Sequence, residues 1–148
     1  MVEWSDSLSV GVDIIDEDHK AFFRLSDLFP EIINSQDEYR FILIETYINI
    51  LYEYIEAHFL REQKALMSIN FPDLANHIAA HDAFSAQIYE IINQFRGGNK
   101  DIIFGIDAVV KKWFVSHIEN YDSKYIKFIN NNNVDNRAMA FINEDDAS

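Results

Sequence analysis

Two short stretches of the chain set metal-ligand side chains one helical turn apart. "HFLRE" at 58–62 places His58 four residues before Glu62, and "HIAAH" at 77–81 places His77 four residues before His81. Residues four apart share a helix face, so each stretch can aim two donor groups at one point. His19, His117 and Asp122 extend the set. A lone histidine on an apolar face is most often a hydrogen-bonded core residue. Here all five histidines of the chain lie on the inward stripes of the periodic pattern traced below, which random placement would not produce. Burying five imidazoles with two carboxylates costs several kcal/mol unless something partners them, and a metal centre would do so.

Composition narrows the chemistry. The chain has 148 residues, 49% of them hydrophobic, with four glycines and two prolines; that suits one domain able to bury a real core. A formal net charge of −13 repels phosphate backbones and anionic lipid, so neither nucleic acid nor a membrane surface is an expected partner. The absence of cysteine excludes disulfides, thiolate metal sites and a cysteine nucleophile, leaving nitrogen and oxygen ligands only. The start "MVEWSDS" lacks a cationic segment followed by an apolar one, as a secretory signal would have. The most apolar stretch, 41–60, carries Glu45, Glu53 and Glu56 and does not read as membrane-spanning. The simplest expectation is a cytoplasmic protein.

The elements that must position the donors are helices. From Asp16, read as an N-cap in an acidic first turn, His19, Phe22, Ser26, Phe29 and Ile33 recur at steps of three and four, with Pro30 expected to break or kink this helix. A second stripe begins at Asp37 and runs Phe41, Ile44, Ile48, Leu51, Ile55, His58, Glu62, to about Met67. After "NFPDL" a third carries Leu74, His77, His81, Phe84, Ile88, Ile91 and Phe95, and "RGGN" at 96–99 ends it. A fourth, from Lys100 to Phe128, faces Ile103, Ile106, Val110, Trp113, Phe114 and His117 inward. Four long helices with short connections predict an all-α, up-down-up-down four-helix bundle with an N-terminal arm and a C-terminal extension. The division expected is 1–128 for the metal-binding domain and 129–148 for an extension or linker. In the latter, "NNNNVDN" at 130–136 is a polar break and "RAMAFI" at 137–142 a short helix packing back.

Depth along a bundle follows residue number at about 1.5 Å per residue. His58 and Glu62 end the second helix, His77 and His81 begin the third, and His19, His117 and Asp122 belong to the same end, so seven candidate ligands converge from four helices. Asp122 is out of line: five residues after His117 it sits about 140° away on an ideal helix, so a π-bulge or a long side-chain reach is expected. Five imidazoles supply five bonds, two bridging carboxylates four, and an oxo or hydroxo bridge two. The total is one short of the twelve that two octahedral metals need. Each metal takes three bonds from the bridges, so a metal with three histidines is saturated and one with two keeps a vacancy for a small ligand.

These residues resemble the hemerythrin family, specifically the bacterial hemerythrins. The resemblance spans Trp4 to Tyr125 through "VGVDIIDEDHKAF" at 10–22, "HFLRE", "HIAAHDAF" at 77–84 and "WFVSHIENYD" at 113–122. It implies a non-haem di-iron centre with an oxo or hydroxo bridge. His77, His81 and His117 would hold the saturated iron, His19 and His58 the iron that takes up dioxygen, and Glu62 and Asp122 would bridge. Phe22, Phe59, Trp113, Phe114 and Ile118 flank these positions as a candidate apolar ligand pocket. Pro30 and the tail after Phe128 depart from the family pattern without touching a ligand position.

Reversible dioxygen binding, without enzymatic turnover, is the function the resemblance implies, and an imidazole-rich donor set suits a binder better than an oxygenase. Neither the Glu-x-x-His pairs of ferritin-like di-iron proteins nor the His-Glu-x-x-His of zinc proteases occurs. The roles to weigh are oxygen carrier or store, sensor domain of a signalling protein, and, as the alternative, an iron-dependent peroxidase-like enzyme or redox-handling protein. "DNRAMAFI" at 135–142 is similar to the start of a diguanylate cyclase domain, so a fused or associated signalling domain, a diguanylate cyclase or a chemoreceptor, is the expected partner beyond dioxygen.

Overall fold

The computed structural model describes residues 3–36 and 38–142. Four helices, α1 (Asp13–Ile33), α2 (Arg40–Ser68), α3 (Leu74–Arg96) and α4 (Ile106–Asn120), make an up-down-up-down bundle in which α1 lies beside α2 and α4, and α2 beside α3. No helix among the described residues is long and apolar enough to cross a membrane.

The helix ends differ from the sequence expectation in instructive ways. α1 begins at Asp13, a turn earlier than expected, with Val12 at its N-cap and no side-chain cap from that residue. Its first free N–H, on Asp13, is met by Asn131 Oδ1 at 2.9 Å, so the cap comes from the far end of the chain. Asp16, read as the cap, is buried instead. It accepts from the Val10 N–H at 2.9 Å and the Ser9 hydroxyl at 2.5 Å, which holds the arm against the bundle. The break expected at Pro30 does not occur. Proline removes the one donor that would reach Ser26, but Pro30 lies in the last turn and its carbonyl still accepts from Asn34 N–H at 3.1 Å. The second helix starts at Arg40 rather than Asp37, which lies outside the described residues. Phe41, placed on the inward stripe, is half exposed on the first turn of α2, with Arg40 and Lys100 over its ring at 5.0 and 5.9 Å.

α3 stops where the glycines predict. Gly98 takes φ +112°, and the Asn99 N–H turns back to the Gln94 carbonyl at 2.9 Å. The single helix expected over 100–128 is three pieces: a 3-10 turn Lys100–Ile103, α4, and a second 3-10 turn Asp122–Tyr125. Gly105, at φ +88°, makes the left-handed corner that starts α4.

Two apolar clusters result. The larger fills the bundle with Phe29, Ile48, Ile88, Phe95 and Val110 and reaches Phe22, Phe59 and Phe114 near the histidines. The smaller lies beyond the histidines and is built from the arm (Leu8, Val10, Val12), Phe23, Tyr125 and the tail (Ile129, Val134). The arm and extension, expected outside the bundle, therefore supply core residues at one end of it. Beyond Val134, residues 139–142 are helical, with Met139 and Ile142 buried.

Candidate metal centre

All seven candidate ligands are buried, and the bundle brings them together at that end. They fall into two groups with donor atoms within 4.8 Å of one another: Glu62, His77, His81, His117 and Asp122 in one, His19, His58 and Glu62 in the other. Three imidazoles sit on one side and two on the other, with the carboxylates between. Asp122 divides its oxygens: Oδ2 lies 3.3 Å from His19 Nε2, while Oδ1 lies 3.2 Å from His77 Nε2 and 3.1 Å from His117 Nε2. Glu62 Oε1 lies 3.2, 3.5 and 3.6 Å from Nε2 of His81, His58 and His77.

Asp122 reaches the centre by neither expected route. α4 ends at Asn120; Tyr121 leaves helical geometry at φ −120°, ψ −57°, and the 3-10 turn that follows begins at Asp122. Ending the helix re-aims the carboxylate. The His117 carbonyl still accepts from the Tyr121 N–H at 2.8 Å, so the turn is made without loss of that bond.

The residues fit a metal on three observations. First, Glu62 Oε1, His77 Nε2 and both oxygens of Asp122 are buried with no hydrogen-bond partner, and all face the cluster. His77 Nε2 and Asp122 Oδ1 are near enough to pair but not aligned on each other, as two groups aimed at a common third point would be. Second, Nε2 faces Nε2 at 3.0 Å in both His19–His58 and His81–His117. First-row metals bind imidazole at about 2.0–2.1 Å, so adjacent ligands of an octahedron sit about 3.0 Å apart. Third, Glu62 and Asp122 are held anionic: burial alone would raise their pKa values, but the surrounding imidazoles bring both well below the usual carboxylate range.

The same environment splits the histidines. Burial pushes His81 down to about 4. Burial also opposes charge on His77, but the adjacent carboxylates of Asp122 and Glu62 prevail and raise it to about 10. His19 is raised as well: burial opposes its charge, and Asp122 overcomes it.

Several residues around the cluster lie off the periodic stripes of the sequence. Asp18 accepts the Nδ1–H of His58 at 2.9 Å, which fixes the tautomer and turns the Nε2 lone pair inward. Arg61 donates through Nε to Asp18 at 2.8 Å. The side-chain amide of Gln63 lies 2.9 Å from His81 Nδ1. The Tyr125 hydroxyl donates to Glu62 Oε2 at 2.5 Å, and its own pKa is pushed well up by burial. A carboxylate oxygen has two lone pairs, so this bond leaves Oε2 one for a metal. Asp18, Arg61 and Gln63 each adjoin a candidate ligand in sequence and Tyr125 follows Asp122 by three; that adjacency is the signal the sequence offers.

Of the candidate pocket, Phe22 meets His58 edge-on at 5.4 Å and stacks on Phe114 at 4.2 Å; Phe114 in turn lies 5.9 Å from both His19 and His58. Phe59 stacks on His81 at 3.8 Å and Trp113 on His117 at 4.3 Å, with Trp113 only partly buried. Ile118 packs in the other cluster, with Tyr125, the arm and the tail.

Comparisons with known proteins find similar sequences and a similar fold. The model of the hemerythrin HHE cation binding domain matches residues 10–129. A bacteriohemerythrin of Clostridium acetobutylicum is 31% identical over 134 residues, covering 85% of this chain and 99% of its own length. One of Stenotrophomonas maltophilia is 24% identical over 125 residues, covering 84% and 79%. A solved crystal structure of a mutant protein superposes with a TM-score of 0.73 at 22% identity, over 86% of this chain and 97% of that one.

Proposed function

The chain belongs to the hemerythrin family, and from that premise we propose that it binds dioxygen reversibly at a non-haem di-iron centre, as an oxygen carrier, store or sensor rather than as an enzyme. One observation carries the reading: three buried imidazoles on one side and two on the other share Glu62 and Asp122, whose inward oxygens have no other partner. That arrangement supports His77, His81 and His117 as holders of one iron, His19 and His58 as holders of the other, and the two carboxylates as bridges. Iron supplies the redox chemistry that dioxygen uptake requires.

The chain's own residues do the rest. Asp18 holds His58 in the tautomer that presents Nε2, and Tyr125 holds the Glu62 carboxylate in place. Phe22 and Phe114 cover the two-histidine side with apolar surface. We assign them the task of excluding water there, with Phe59 and Trp113 buttressing His81 and His117. Ile118 lies beside the arm and tail, so Phe22 and Phe114 are the stronger pocket candidates. The boundary at 128/129 we redraw as functional rather than structural, because residues 129–142 complete the core around the site.

The test is iron-loading followed by oxygen exchange. The loaded chain should hold two irons, gain a charge-transfer absorption under oxygen and lose it under argon over repeated cycles. A single tightly bound zinc, or irreversible bleaching on the first exposure to oxygen, would overturn the reading.

A further inference from the structure

Asp18 and Arg61 form a buried ion pair, 3% and 1% exposed, with ties in two directions. On one side Asp18 takes the Nδ1–H of His58 at 2.9 Å. On the other, Arg61 gives Nε and Nη2 to Asp18 at 2.8 and 3.4 Å and spends Nη1 on two main-chain carbonyls of the extension, those of Asp135 and, at 2.8 Å, Arg137. A continuous polar chain therefore runs from a histidine of the candidate centre to the C-terminal extension, through α1 and α2.

The physics of that chain makes it two-ended. If residues 135–137 leave, a buried guanidinium loses two acceptors and its best compensation is to turn toward water, which weakens its hold on Asp18. A carboxylate released from arginine draws the His58 proton more strongly and changes both the aim and the basicity of the imidazole. The extension borders open space: Met139 and Ile142 are buried, but Ala138 and Ala140 are exposed and a cleft of about 540 Å³ lies beside them, with Asp18, Arg61, Tyr54 and Met139 also among its walls.

We propose that the C-terminal extension is energetically coupled to the iron centre through Arg61 and Asp18, so that metal held by His58 fixes residues 135–142 against the bundle and an emptied site releases them. Arg61 is a positioning residue in this scheme. The inference rests on the reading of His58 as an iron ligand, and reciprocity requires that displacing the extension alter the site in turn.

Trypsin reads the coupling directly, since the exposed Arg137 is a cleavage point within the tethered segment and the exposed Lys100 is one at the opposite end of the bundle. Iron loading should slow cleavage after Arg137 about tenfold relative to cleavage after Lys100, within the range of ordinary site-to-site coupling. Asp18→Asn should abolish that difference. Arg61→Lys keeps a cation beside Asp18 but cannot also reach both carbonyls, so the loaded variant should be cut after Arg137 at the iron-free rate; it serves if Asp18→Asn does not fold. With iron content unchanged, Arg61→Lys should also shift the charge-transfer band of the azide complex, which a purely structural residue would leave alone. Cleavage after Arg137 that is indifferent to iron in a chain that binds two irons overturns the coupling alone. A chain that takes up no iron overturns the centre, and the coupling with it.

Discussion

The two ends of the bundle are built on opposite terms. Around Phe29, Ile44, Ile48, Ile88, Ile92 and Phe95 the interior is apolar, and every group there gains by leaving water. At the other end five imidazoles and two carboxylates are buried, with three carboxylate oxygens and two ring nitrogens, of His19 and His77, that no protein group satisfies. One end is stable on its own account, while the other is a cost that a bound cation must offset. The arm and tail lie over the costly end, where they supply the apolar contacts that the histidines displace.

The largest test of this contrast is metal removal. Iron in thousandfold excess over its dissociation constant stabilises the fold by about 4 kcal/mol, so the iron-free chain should unfold at a clearly lower temperature. Hydrogen exchange should rise at 15–22, 58–66 and 77–84 well before 44–51 and 88–95. Uniform acceleration along all four helices would break the contrast.

Single substitutions come next and should separate the ends. Glu62→Ala or His77→Ala should lose iron as well as stability, since the ligands left behind are buried unpaired. Ile48→Ala should cost about 2–5 kcal/mol by opening a cavity, yet keep two irons. Metal analysis beside thermal unfolding distinguishes the outcomes; an Ile48→Ala chain that loses iron would mean the two ends are not separable.

How far the sequence revealed this contrast depends on which physics set each feature. Periodicity exposed the helices because burial selects one face, and it singled out four members of the buried cluster because His58, Glu62, His77 and His81 keep helical spacing. It failed where tertiary partners override local rules. Asp16 has the chemistry of a cap, but its carboxylate serves the backbone of the arm, and the true cap of α1 comes from Asn131, 118 residues away. Asp122 could not be placed by helical geometry because the helix ends to present it. Asp18 and Arg61 are charged residues whose burial depends on each other and on the tail carbonyls, a dependence no local window contains.

The pH response of the iron-free chain sharpens the same contrast. His77 is raised from 6.5 to about 10, so its contribution is fully present below pH 6.5 and is lost as pH rises through 10. His81 is lowered to about 4, so its contribution is present above pH 6.5 and is lost as pH falls toward 4. The iron-free melting temperature should therefore fall on both sides of neutrality. In the loaded chain the imidazoles are held neutral, so the alkaline decline should disappear; its persistence would show that His77 is not engaged by metal.

The smallest expected effect concerns the cap. Asn131 meets the first free N–H of α1 and, through Nδ2, lies 3.3 Å from the Asp13 carboxylate. Both contacts are exposed, so Asn131→Ala should cost about 0.5–2 kcal/mol, as the loss of a side-chain cap ordinarily does. The substitution lies on the same segment as the Arg61 contacts but removes no bond in the His58–Asp18–Arg61 chain. Iron content and the azide absorption should therefore stay at parental values while the melting temperature drops by a few degrees. A shifted absorption in Asn131→Ala would show that the site end feels any loosening of the tail, and the distinction between covering that end and positioning its ligands would have to be given up.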